Sequence, residues 1–174
     1  MTISVLFNSK IYVGGHDFTA DTNKGVFSAD ADVNDATTFA SQGWKEGKGG
    51  LKSFESSLEG FWASAAADAV DPEIFPRLGI PDEVVTISPP GGEGSACYLC
   101  QASKLTYSLF GEIGQLIPFS LGMSGSNTVG AVRGQLAKAA GSVSATGATG
   151  TAVQLGAVAA DEFVYATVHV LGTP

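Results

Sequence analysis

Apolar residues recur at every second position in short runs along this chain, and glycine, asparagine and aspartate punctuate the runs. A period of two suits strands, whose successive side chains point to opposite faces, and not the 3.6-residue period of an amphipathic helix. In 26–33, Val26, Ser28, Asp30 and Asp32 share one side, while Phe27, Ala29, Ala31 and Val33 share the other and read as a core face. Residues 51–62 alternate again, with Phe54, Leu58 and Trp62 on one face. Further strands are expected at 3–7, 10–13, 84–88, 95–109, 116–123, 128–138 and 163–171. Between them, 34–50 is polar and glycine-rich, too long for an ordinary hairpin loop; loops of that length in compact domains are functional or mobile. The segment 64–78 departs from the pattern. Its alanine-rich start, with Asp71 as N-cap and Pro72 in the first turn, predicts one or two short helices. The small-residue stretch 141–156 predicts an exposed loop or a pair of small strands.

These elements predict a mainly β fold, an antiparallel β-sandwich or barrel with one short flanking helix region. The length of 174 residues suits a single domain over 1–174, and 44% hydrophobic against 15% charged residues argues against intrinsic disorder. Nine Lys+Arg against 17 Asp+Glu give −8, which removes the basic footprint of a duplex reader. The first seven residues lack the basic start of a secretory signal, and no apolar stretch predicts a spanning helix, so no membrane partner is expected. The 23 glycines follow no three-residue period and fit turns and tight backbone approaches.

Material for chemistry is sparse. Cys97 and Cys100 stand three apart in an extended run, which places them on opposite faces, and only His16 and His169 could complete a metal set. No metal and no cofactor are expected. The two histidines are far apart in sequence, and the same-face acids Asp30 with Asp32, and Glu55 with Glu59, read as a solvated strand face. Gly91-Gly92-Glu93-Gly94 lacks the Lys-Ser/Thr of a phosphate loop and reads as a turn. The expectation is a protein that is not an enzyme.

The run Ala31-Asp32-Val33-Asn34-Asp35-Ala36-Thr37-Thr38-Phe39-Ala40, then Gly43-Trp44, Gly49-Gly50-Leu51-Lys52-Ser53-Phe54 and Leu58-Glu59-Gly60-Phe61-Trp62, resembles the tail tube (major tail) proteins of long-tailed bacteriophages. The segment 107–121, Val132-Arg133-Gly134 and the closing 165–170 are similar to the later strands of that family. The resemblance implies hexameric rings that stack into a hollow tube around a tape measure protein, with tail terminator and tip proteins at its ends. DNA then transits the lumen without specific binding. It also implies a place in the virion tail after synthesis in the host cytoplasm. On this resemblance 34–50 is an assembly loop, and Thr37, Thr38, Phe39, Trp44, Lys45 and Leu51 are its subunit-interface residues. Asp30, Asp32, Glu55 and Glu59, on the polar faces of strands, are the expected lumen-facing acids. Two alternatives stand beside it: a head decoration protein that stabilises a capsid, assembling as trimers, and a carbohydrate-binding β-sandwich using Trp44 or Tyr98.

Overall fold

The structure, a computed structural model, describes residues 6–65, 69–143, 146–147, 149–150 and 152–171. Its strands are β1 (Lys10–Val13), β2 (His16–Asp17), β3 (Thr22–Asp35), β4 (Gly47–Phe61), β5 (Glu83–Ser88), β6 (Ala96–Leu109), β7 (Pro118–Gly125) and β8 (Ala131–Gln135). They form one antiparallel sheet in the order β2-β1-β5-β6-β7-β4-β3, with β8 also pairing β6. The sheet rolls without closing by a ladder. Phe27 of β3 stacks on Tyr98 of β6 with ring centroids 4.9 Å apart, which brings the two flanks of the roll face to face.

Alternation explains which side becomes the core. On β4 the buried residues are Phe54, Ser56, Leu58 and Gly60, while of the odd positions between them Glu55 is exposed and Ser57 and Glu59 are partly exposed. Leu58 joins Ile11, Val13, Phe18, Val85, Cys100, Phe119 and Leu121 in the main cluster inside the roll. Fully burying a leucine such as Leu58 or Leu121 stabilises the fold by about 1.5–3 kcal/mol. Gly60 is required at its position, because a Cβ there would collide with the Asp21 carbonyl, which accepts the Phe61 amide at 3.0 Å. A second, smaller cluster of Tyr12, Cys97 and Leu136 packs on the other side of β6. The two thiols therefore lie on opposite faces, as their spacing predicts, and burial pushes that of Cys100 up to about 12.

The helical region is shorter than expected: α1 spans Val70–Ile74 and a 3-10 turn follows at Phe75–Arg77. Residues 66–68 of the predicted 64–78 lie outside the described residues. Ala69, not Asp71, caps the helix. Asp71 is drawn elsewhere by stronger donors, accepting from Trp62 Nε1 at 3.1 Å and Tyr107 Oη at 3.0 Å. Val70 and Ile74 are fully buried and seal the inside of the roll.

Three further expectations change. The 34–50 loop is shorter than expected, because β3 and β4 keep pairing out to Asp35 and Gly47, leaving 36–46 as the connection. Ala29, Ala31 and Val33 are exposed and not core, Val33 at 77%. The reason is register: β7 covers β4 only from Glu55 to Phe61, so the ribbon beyond Ser28 has no third strand beside it. The final segment 163–171, expected as a strand, belongs to no ladder of the sheet. The expected strand at 3–7 falls largely outside the described residues, as does part of 141–156, whose described part contains no strand.

Candidate assembly surfaces

The outward face of the β3-β4-β7-β6 flank is built of small polar groups and carboxylates. Across the ladders, Glu55 of β4 pairs Ser28 on one side and Ser124 on the other, and Glu59 pairs Lys24 and Ser120 in the same way. Residues directly opposite share a face. Asp30 and Asp32 continue that side of β3 by alternation, so the structure brings all four expected acids onto one face. Glu59 is tied to Lys24 at 2.7 Å, and Asp30 accepts the Ser28 hydroxyl at 3.0 Å. A shallow groove of about 300 Å³ runs over this face, lined by Ser28, Glu55, Ser57, Leu105, Gly122 and Ser124 among others. Gly122 permits it, since a Cβ there would collide with the Thr106 hydroxyl.

The tip of the β3-β4 ribbon is shaped by its own polar side chains. Ser41, one of the few buried residues there, donates to Glu46 Oε1 at 2.8 Å and accepts the Thr38 amide at 3.1 Å. Thr37 Oγ1 accepts the Glu46 amide at 2.9 Å. The Thr37 amide donates to Asp35 at 2.9 Å, and Thr37 holds that carboxyl below the usual carboxylate range. Gln42 and Gly43 turn the chain with φ of +51° and +86°. With the interior of the tip occupied by these bonds, Phe39 and Trp44 point out, 110% and 80% exposed. Lys45 sits beside them, 3.7 Å from Asp35, while Leu51 stands apart on β4, also exposed. Of the expected interface residues, Thr37 and Thr38 therefore hold the shape while Phe39, Trp44, Lys45 and Leu51 present surface.

Sequence reasoning missed a second apolar surface, the β6-β7 turn. Phe110, Ile113 and Leu116 are exposed there, with Ile113 at 106%. The signal was available: three large apolar residues spaced by glycines in a segment too short to fold upon itself.

Two polar clusters serve the interior. Lys104, 1% exposed, meets Glu83 Oε2 at 2.7 Å and donates to the Glu73 carbonyl at 3.0 Å. Arg77 reaches the other Glu83 oxygen at 3.2 Å, so the network pins α1 to β5 and β6. Burial pulls the Lys104 ammonium below its ordinary range against the opposing pull of Glu83. On the other side of the sheet, His169 Nδ1 donates to the Gly14 carbonyl at 2.8 Å. Its Nε2 is then the acceptor for the Thr86 hydroxyl at 2.8 Å, and the Thr86 oxygen receives Thr167 at 2.9 Å. Thr167, His169 and Leu171 face the sheet, while Val168 and Val170 between them face out. His16 lies elsewhere, buried against Phe18 and 3.1 Å from Asp21. No group of three or more His, Cys, Asp or Glu side chains able to hold a metal occurs among the described residues. No helix among them is long and apolar enough to cross a membrane.

A rolled, open antiparallel sheet with one long projecting ribbon is thus the class of fold. No family model matches the chain, and no curated protein does. Solved structures do. A chain in the virion of a native gene transfer agent particle shares 19% identity, with a TM-score of 0.56 over 70% of this chain and 92% of that one. A chain in the tail of an empty particle of that kind, refined with C6 helical symmetry, shares 17% with a TM-score of 0.54, covering 74% and 93%. At that identity the likeness is one of fold. The motifs that read as tail-tube-like in the sequence sit on a fold shared with a tail.

Proposed function

We propose that this chain is a structural, non-enzymatic subunit of a phage-type tail tube, assembling as rings of six that stack into a hollow cylinder. The observation that carries the reading is β3. It is a fourteen-residue strand at the border of the sheet, its outer edge unpaired among the described residues, with no proline and a regular run from Lys24 to Ala31 between two register shifts. Long unprotected borders are templates for pairing with another chain, and a ring of copies abolishes them. The same flank carries the serine-rich acidic face. Facing a lumen, Asp30, Asp32, Glu55 and Glu59 repel the DNA backbone, so the genome slides past without binding. The tape measure protein occupies that channel first, terminator and tip proteins close the ends, and no cofactor takes part. The finished subunit resides in the virion tail after synthesis in the host cytoplasm.

Concentrating the purified chain and imaging it by negative stain, with native mass spectrometry alongside, tests this directly. Six-fold rings or tubes are the expected result. A chain that stays monomeric at millimolar concentration overturns the reading, and trimers without rings favour the head decoration alternative.

A further inference from the structure

The outward face of the β3-β4-β7-β6 flank is hydroxyl and carboxylate except along one row. Val26 pairs Ser57 there and Ser57 pairs Gly122, and beside Gly122 the strand β6 bulges, with Lys104 opposite Met123 and Thr106 opposite Gly122. The extra residue is Leu105. It stands exposed on one side of the groove and Val26 stands exposed on the other, with Ser57 and Gly122 as the floor between them. Bulges re-aim side chains beside functional sites. A second depression, of about 280 Å³, carries the groove on along the strands from Glu59 and Ser120 to Phe61 and Phe110.

The dimensions select the shape of an occupant. β3 and β6 lie three strand spacings apart in the sheet order, about 14 Å, which admits a helix of about 10–12 Å diameter. An added strand is excluded. From Glu55 to Gly60, β4 is paired by β3 on one side and β7 on the other, and β7 is paired by β4 and β6, so the floor offers no free backbone group. An occupant must arrive with its own backbone bonds already made, as an α-helix does.

Charge selects its chemistry. From Lys24 to Asp30 on β3 and from Glu55 to Glu59 on β4 the charged residues are those four, and the only charged residue of β6 and β7, Lys104, is buried. Lys24 is held by Glu59 at 2.7 Å, which leaves Asp30 and Glu55 without a cation among the described residues. The ribbon beyond is balanced, with Asp32, Asp35 and Glu46 against Lys45, Lys48 and Lys52.

We infer that this groove is a docking site for a basic, amphipathic α-helix of a second protein, whose apolar stripe seats between Val26 and Leu105 and whose cations meet Asp30 and Glu55. This rests on the reading of that flank as the channel wall, and it gives the channel's protein guest a chemistry that DNA lacks. The acids that repel a phosphate backbone attract this helix.

The test is made on the unassembled full chain, by fluorescence anisotropy of a labelled synthetic helix of about 18 residues with leucines along one stripe and lysines beside it. One control helix carries glutamates in place of the lysines, and another has the same residues in an order that breaks the stripe. The leucine-lysine helix is expected to bind, to weaken as salt screens it, and to lose about tenfold in affinity to Leu105→Ser and to Glu55→Lys. Both side chains are exposed and outside both core clusters, and circular dichroism identical to the parent verifies folding. A parent that does not bind overturns the inference. Equal binding of either control helix, or a Leu105→Ser variant that binds like the parent, also overturns it, because the groove then selects nothing. Negative stain judges the tube reading separately. Tubes from a chain that does not bind the helix leave that reading intact, and a chain that binds without ever forming rings keeps the docking site and loses the channel.

Discussion

Around its short helix this chain buries charge, whereas on its ribbon it exposes aromatic surface. At the helix, Lys104 is 1% exposed and its ammonium is met by Glu83 and a carbonyl. At the ribbon tip, the polar residues Thr37, Ser41 and Glu46 satisfy one another inside the turn, and Phe39 and Trp44 are left outside. Both arrangements are polar networks that fix geometry. They differ in what the geometry leaves over: the first closes a surface and leaves nothing for a partner, and the second displays one. Hydrophobicity alone would have sorted the two regions the other way.

The largest effect should come from breaking the buried network. Glu83→Gln leaves Lys104 without its carboxylate and is expected to cost about 3–5 kcal/mol in urea unfolding, because an uncompensated charge then stays buried. Lys104→Met removes the buried cation itself and should cost much less. Equal losses in the two variants would mean that packing, and not charge, holds α1 in place. Next is Asp71→Ala, which strands the Trp62 and Tyr107 donors and should cost about 1–3 kcal/mol, visible as a fall in the thermal midpoint.

A smaller effect concerns the terminal segment on the far side of the sheet. Burial lowers the His169 pKa below 6.5, with the Gly14 carbonyl opposing it in part. Free of the sheet, this imidazole binds a proton more readily than when seated, so seating is favoured above its unfolded pKa and weakens as pH falls through that value toward the lower folded one. Protection factors at 163–171, taken against the intrinsic exchange rate at each pH, should therefore fall on acidification from pH 7, and His169→Gln should flatten the response. An unchanged pH dependence in that variant would point to another group.

Smallest in stability, and most informative for the comparison, is the ribbon. Phe39→Ser and Trp44→Ser should each leave unfolding free energy within about 0.5 kcal/mol of the parent, as substitutions at exposed sites do, while assembly is lost. A marked loss of stability instead would place these rings inside the fold and erase the contrast with the helix region.

Much of the architecture was legible in the residues, and its failures share one cause. The Phe54 and Leu58 alternation, the opposed thiols of Cys97 and Cys100 and the long strands around them followed from a period of two, because direction along a strand is set locally. Val33 and Ala31 carried the same pattern without being core. Alternation says which residues share a side and is silent on whether anything covers that side. Asp71 had the chemistry of a cap, and two donors distant in sequence claimed it. The segment at 163–171 looked like a strand and alternates in burial from Thr167 to Leu171, yet a ladder needs a neighbour whose position no local pattern encodes. The Phe110 to Leu116 turn was passed over because its apolar residues follow no strand period.

By itself, then, the amino-acid order determined the strand-rich class, the punctuation, the acidic balance and the faces of each strand, all of which depend on steric and charge preferences acting within a few residues. Only the tertiary structure decided where β7 stops beside β4, and with it which part of β3 is packed and which projects. That depends on long-range pairing and on burial against the rest of the chain, where small differences among large opposing energies choose the register.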